Sequence, residues 1–271
     1  MKLAIRHETT YTYSTPALYT IQLLRLTPRN SAQQHVLDWK IEAPGRRHRH
    51  LDAYGNLSHT LVINGAHSVV RVTVSGLVEI TALPDGRLGP EPRSDQTDLP
   101  GEVFLVHTPM TAASAELAAF ARSALPQGLH DPADALRLAG AIRERIEYVT
   151  GATDVTTSAA DALRLGRGVC QDHVHLFLAA CRLHGVPARY VSGYIHPGDV
   201  GHVATHAWAD AWLDRAGWVS VDVTHAQFPG DRHCRIAVGR DYESAGPVRG
   251  VRTGGGHEHM DVKAAVVTID E

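Results

Sequence analysis

The strongest constraint on the fold is the run from Cys170 towards Gly185, which carries apolar side chains almost all round a helical wheel: Val174, Leu176, Phe177, Leu178, Ala179, Ala180 and Leu183. A helix without a polar face has to be covered on every side, so it belongs at the centre of its domain. Pro187 lies just beyond its end, where a helix cannot continue. Three strand-like segments follow, at 189–195, 205–213 and 218–224. Helices first and strands afterwards predict an α+β domain with a central helix packed on an antiparallel sheet.

The flanks extend this plan. An Ala-rich stretch at 112–125 reads as a helix, and Asp131-Pro132 is an N-cap and first-turn pair for a second helix to about Tyr148. Thr157 or Ser158 starts a third that Gly166 stops. Residues 1–82 read instead as short strands, among them 9–13, 19–23, 35–41 and 69–74, with Tyr54-Gly55-Asn56 as a turn. They predict a small all-β, sandwich-like domain. The segment 83–101, punctuated by Pro84, Gly86, Gly89, Pro90, Pro92, Pro100 and Gly101, reads as a linker. That leaves 102–271 as the core domain and a tail. The tail, from about Pro229, ends in a strand at 262–269 that can join either sheet.

Chemistry concentrates in the core. Cys170 opens the buried helix, where unpaired amides favour an anion and can also donate to a developing oxyanion. Cys181, mid-helix among apolar neighbours, reads as a buried hydrophobe, and Cys234, in a polar stretch, as a surface thiol. His206 begins the second strand and Asp222 lies in the third. A thiol nucleophile, an imidazole to carry the proton and a carboxylate to orient the imidazole are the parts of an acyl-transfer site.

Register decides whether these parts meet. If Leu213 pairs with Trp218, His206 and Asp222 lie on opposite faces of the sheet. If Trp212 pairs with Trp218, Asp222 sits opposite Trp208 and diagonal to His206, with Cβ atoms about 7–8 Å apart or less, within reach of a carboxylate–imidazole contact. The second case needs an odd-length hairpin loop or a bulge. Asp172 and His175, just after the cysteine, read as supports rather than proton carriers, Asp172 by bonding the loop before Cys170.

Gly168-Val169-Cys170-Gln171-Asp172, Ala188 to Tyr194, His206-Ala207-Trp208-Ala209-Asp210 and Gly217 to Asp222 together resemble the bacterial transglutaminase-like cysteine-enzyme family. Leu24-Arg25-Leu26-Thr27-Pro28 and Asp52-Ala53-Tyr54-Gly55-Asn56 resemble that family's N-terminal β domain, and Gly239-Arg240-Asp241-Tyr242 with the triple glycine its tail. The resemblance covers nearly the whole chain. It implies a papain-like core with a Cys-His-Asp triad, carried onto Cys170, His206 and Asp222. One departure stands out: relatives commonly follow the aspartate with Pro-Thr-Asn, and here Val223-Thr224-His225 follows.

The expected reaction is cleavage of a peptide, isopeptide or other amide through a thioester, with hydrolysis ahead of transfer to an amine. A non-catalytic peptide-binding scaffold is the reading from another class, and the intact triad argues against it. His48-Arg49-His50, His173 with His175, and His257-Glu258-His259 raise a metal site, but no acidic or cysteine partner has ligand spacing nearby, so no metal or cofactor is expected. Gly254-Gly255-Gly256 lacks the context of a phosphate loop and reads as a flexible segment able to turn His257 toward the site. Net charge is −3 without a long basic run, so no nucleic acid or membrane partner is expected. Three unpaired-looking cysteines and an early charge at the N-terminus predict a cytoplasmic protein. The expected partner is a peptide or protein amide substrate, and the oligomeric state stays open.

Overall fold

The computed structural model of the chain describes residues 1–82, 84–89, 99–198 and 205–269. Its first region is built on two long antiparallel strands, β1 (Lys2–Leu24) and β4 (Leu57–Ile80). The segments 9–13 and 19–23, expected as separate strands, belong to one. Pro16 sits where the β1–β4 register shifts, between Thr12 and Tyr19, so the chain bulges there instead of turning back. β2 (Gln34–Glu42) pairs with one half of β4 and β3 (Arg46–Leu51) with the other. The sandwich-like region is therefore a single bent sheet, whose halves share a core containing Tyr11, Leu24, Ile41, Leu61 and Val72.

The core follows the sequence closely. Helices α1 (Ala115–Ala124), α2 (Pro132–Arg145) and α3 (Ala159–Leu165) are capped by Ser114, Asp131 and Ser158, whose side chains accept amides from the first turn. Gly166, at φ 67°, ends α3 in the left-handed region. α2 stops at Arg145 rather than near Tyr148, because β5 (Glu147–Tyr148) pairs with β6 (Arg167–Gly168). The central α4 (Cys170–Leu183) is buried from Gln171 through Arg182, as its all-round apolar pattern requires. It packs on an antiparallel sheet of β7 (Ala188–Ile195), β8 (Thr205–Leu213), β9 (Gly217–Val221) and β10 (His233–Gly239), in the order β10-β7-β8-β9.

β10 and the short α5 (Tyr242–Ala245) were not legible in the tail. Beyond them, β11 (Val248–Gly254) and β12 (Glu258–Thr268) return to pair with opposite halves of β1. The chain's last strands thus complete the N-terminal sheet. The expected linker lies partly outside the described residues; where described, it bridges the core, Leu88 N–H donating to Trp218 O at 2.9 Å and Gly86 O accepting from Ser220 N–H at 2.8 Å.

Two amide side chains fix the N-terminal sheet to the core. Gln34 exchanges hydrogen bonds with the backbone of Arg235 (2.8 and 2.9 Å), and Asn56 does the same with Val238 (2.8 and 2.7 Å). Each stands in for a missing strand along β10, satisfying backbone groups that an edge would leave open. Asp52 holds Asn56 through its backbone amide (2.9 Å) and pairs with Arg25 at 2.8 Å. Among the described residues no helix is long and apolar enough to cross a membrane.

Candidate active site

Cys170 occupies the first position of α4, partly exposed, where the leading amides of the helix lack intrahelical partners. Asp172 shapes this start. Its Oδ2 accepts the Val169 amide at 2.8 Å and the Thr153 hydroxyl at 2.6 Å. Only glycine fits at 168, since a Cβ there would lie 2.6 Å from the same carboxylate oxygen. Burial pushes the Asp172 carboxyl up, against these bonds.

The β8–β9 register pairs Trp212 with Trp218 and Ala209 with Val221, around a loop at 214–216. Of the two registers open in the sequence, this is the one that brings the imidazole and carboxylate to the same side. His206 Nε2 lies 3.0 Å from Asp222 Oδ1, with both side chains buried. The Nε2 atom is within contact distance but out of line for a well-directed hydrogen bond. Such contacts are often misaligned in the absence of substrate. Burial alone lowers the pKa of His206; contact with Asp222 and with the Cys170 thiol outweighs it and raises it from 6.5 to about 10.

Asp222 has two further imidazole partners. His225 Nδ1 lies 2.7 Å and His233 Nε2 2.9 Å from its Oδ2. The Gly230 amide donates to His233 Nδ1 at 3.2 Å, so the proton of a neutral His233 sits on Nε2 and points at the carboxylate. Burial favours the protonated acid, yet the three imidazoles hold the carboxyl well below its usual range. The turn after Asp222 closes through Gln227, whose carbonyl accepts the Asp222 amide at 2.8 Å and whose amide donates to the Asp222 carbonyl at 3.2 Å. His173 ties α4 to that turn, with Nδ1 3.1 Å from Thr224 Oγ1 and Nε2 3.2 Å from Ile146 O.

The family model of the transglutaminase-like superfamily matches residues 119–223, a span that contains Cys170, His206 and Asp222. The model of the bacterial transglutaminase-like N-terminal region matches residues 3–79. An uncharacterised protein of Mycobacterium leprae is 31% identical over 287 residues, covering 99% of each chain. The chain belongs to the bacterial transglutaminase-like family. An uncharacterised Mycobacterium tuberculosis relative is also 31% identical, over 98% of this chain and 92% of its own. A crystal structure of a candidate cysteine protease from Cytophaga hutchinsonii has the same fold, with TM-score 0.76, 24% identity, and coverage of 100% of this chain and 92% of the other.

Within this transglutaminase-like site, the sequence missed two residues. His225 was visible only as the departure from Pro-Thr-Asn, and His233 carried no signal because β10 itself was unread. Other readings change too. Cys234, expected at the surface, is buried beside Tyr194 and Ile236, and burial pushes its thiol up, as it does that of Cys181. His175 is a support: its Nε2 accepts the Tyr242 amide at 3.2 Å, and burial lowers its pKa to about 4. The three glycines at 254–256 form a defined turn at φ 82°, 92° and 58°, and the His257 amide bonds Ser14 Oγ on the exposed surface. His257 does not line the Cys170 cleft.

Among the described residues, His206, Asp222 and His225 gather three potential ligand atoms within 4.8 Å of one another. A cation held there would have to displace the contacts that His206 and His225 make with Asp222. The histidine pairs noted in the sequence form no such group among the described residues.

Proposed function

We propose that the protein is a cysteine-dependent enzyme that cleaves amide bonds through a thioester on Cys170. The observation that carries this reading is the chain of contacts from Cys170, at the head of a buried helix, through His206 to a carboxylate held ionised by three imidazoles. In the first step the thiolate Sγ bonds to the amide carbon, and the first amides of α4 donate to the oxygen that becomes negative. The C–N bond then breaks as imidazolium His206 gives its proton to the leaving amine. In the second step His206 takes a proton from water, hydroxide adds to the thioester carbon, and the C–S bond breaks to free the acid and the thiolate. Asp222 orients the ring and stabilises its charged form throughout. The three side chains fill the roles of nucleophile, acid–base and orienting carboxylate, so the reaction as written calls for no metal.

The test is turnover of a peptide-amide library, with and without EDTA and with and without added primary amine. Free acid is the expected main product, unchanged by EDTA. Amine adducts outweighing acid at modest amine concentration would make the protein a transferase. Activity lost to EDTA and restored by zinc or calcium would overturn the metal-free mechanism. Binding of peptides with no turnover at all would favour the scaffold reading.

A further inference from the structure

Cys170 opens into a cleft of about 600 Å3 with two walls of different origin. One comes from the core, where Cys170 and Gln171 of α4 and His206 of β8 face the space. The other is the N-terminal sheet, through β1 and the chain's own last strand, β12. In the β1–β12 register Tyr11 pairs with Met260, Thr9 with Val262 and His7 with Ala264. Directly paired residues of antiparallel strands share a face, so these six side chains form one surface of the sheet.

That surface changes character across its width. On β1, His7, Thr9 and Tyr11 are buried, while on β12 Met260 is 53% and Val262 44% exposed. Single exposed apolar residues need no explanation, but an apolar strip continuous with a reactive-thiol cleft has an evident use. Among the described residues the cleft lining contains no Asp or Glu, so a cationic side chain finds no counter-charge there. His7 is engaged by Tyr194 Oη at 2.6 Å and Thr9 Oγ1 at 2.9 Å, and burial lowers its pKa to about 4, so it contributes no charge near neutrality. Lys263 reaches the rim from the other face of β12 and pairs with Asp261 at 3.4 Å.

We infer that Met260 and Val262 form the substrate-reading wall of the Cys170 cleft, and that the amide cleaved there carries an apolar side chain beside the scissile bond. The inference rests on the amide-cleaving reading above and adds its substrate class. A cleft of this volume, within the range of small-ligand sites, holds the groups next to the reacting carbonyl and little more. An aliphatic side chain leaves water against Met260 and Val262, whereas a carboxylate would lose hydration against that wall. The cleft's cationic groups lie elsewhere, His206 held by Asp222 and Cys170, and Lys263 on the other face of β12 paired with Asp261. Discrimination between the two is expected at about 10–100-fold, typical of an apolar pocket.

The experiment measures binding rather than turnover, so the two readings fail separately. Isothermal titration of the Cys170→Ala protein uses N-acetyl tripeptide amides in which each position in turn is Leu or Glu. At one position at least, Leu should bind tenfold or more tightly than Glu. Adding Met260→Glu and Val262→Glu should abolish that preference, while Val262→Leu should keep it. Both glutamates replace exposed side chains, and an unchanged thermal midpoint will report an intact fold. Equal affinities at every position, or a preference that survives both glutamates in a folded protein, would overturn the inference. A preserved binding preference in a protein that never turns over any peptide amide would sink the catalytic reading alone.

Discussion

Replacing Cys170 with alanine should leave a folded protein whose amide turnover falls by about 10^5- to 10^6-fold, the scale seen when a triad nucleophile is removed. No other group can take over the bond-making step. Cys181 and Cys234 are fully buried, and burial raises both thiols, so neither offers a thiolate to the cleft. Alanine at 170 removes one partly exposed sulfur at the head of α4 and leaves the Asp172–Val169 bond in place. The contrast to measure is kcat/KM and thermal midpoint for Cys170→Ala beside Cys234→Ala. Turnover surviving the first substitution, or vanishing with the second in a folded protein, would contradict the assignment.

The second large effect is expected at Asp222, where asparagine should cut kcat by roughly 10^4-fold, as in other triads. Both carboxylate oxygens act as acceptors: Oδ2 faces His225 Nδ1 and His233 Nε2, and Oδ1 faces His206 Nε2 and the His225 amide, the latter at 3.3 Å. An amide NH2 turned toward His233 would set donor against donor. Turned toward His206, it forces the neutral ring to accept at Nε2 and carry its proton on Nδ1, the wrong tautomer for relaying the thiol proton.

The same change has a pH signature. The Asp222 carboxyl is depressed below 3.8, so its contribution to stability is present above that pH and is lost as pH falls through the folded value. His206 is raised from 6.5 to about 10, so its contribution is full below 6.5 and fades as pH rises toward 10. The drop in thermal midpoint caused by Asp222→Asn should therefore be largest between about pH 4 and 6.5 and shrink on either side. A drop that does not vary with pH would mean that the pair is not charged in the folded protein.

What could be read from the sequence was whatever local chemistry encodes. The caps at Asp131 and Ser158, the stop at Gly166 and the all-round apolar α4 placed three helices, because each signal lies within a few residues of the feature it specifies. Cys170 was legible for the same reason. The meeting of His206 and Asp222 was legible only as a choice between registers, since pairing depends on how three loop residues turn. β10 escaped notice because six of its seven residues are buried, which erases the alternation that marks a half-exposed strand, and because its edge is satisfied by Gln34 and Asn56 from about 180–200 positions away. With β10 went His233. The wall on β12 was hidden likewise: nothing local says that the last strand joins the first.

The most direct test of the triad is to trap the thioester. The enzyme is mixed with a good peptide-amide substrate, quenched in acid within the first turnover, digested and mapped by mass spectrometry. The account predicts an acyl adduct on the peptide containing Cys170, which accumulates in Asp222→Asn if deacylation slows more than acylation and is absent in Cys170→Ala. Turnover with the acyl group on any other residue, or with no adduct on Cys170 under conditions where deacylation is rate-limiting, would contradict it.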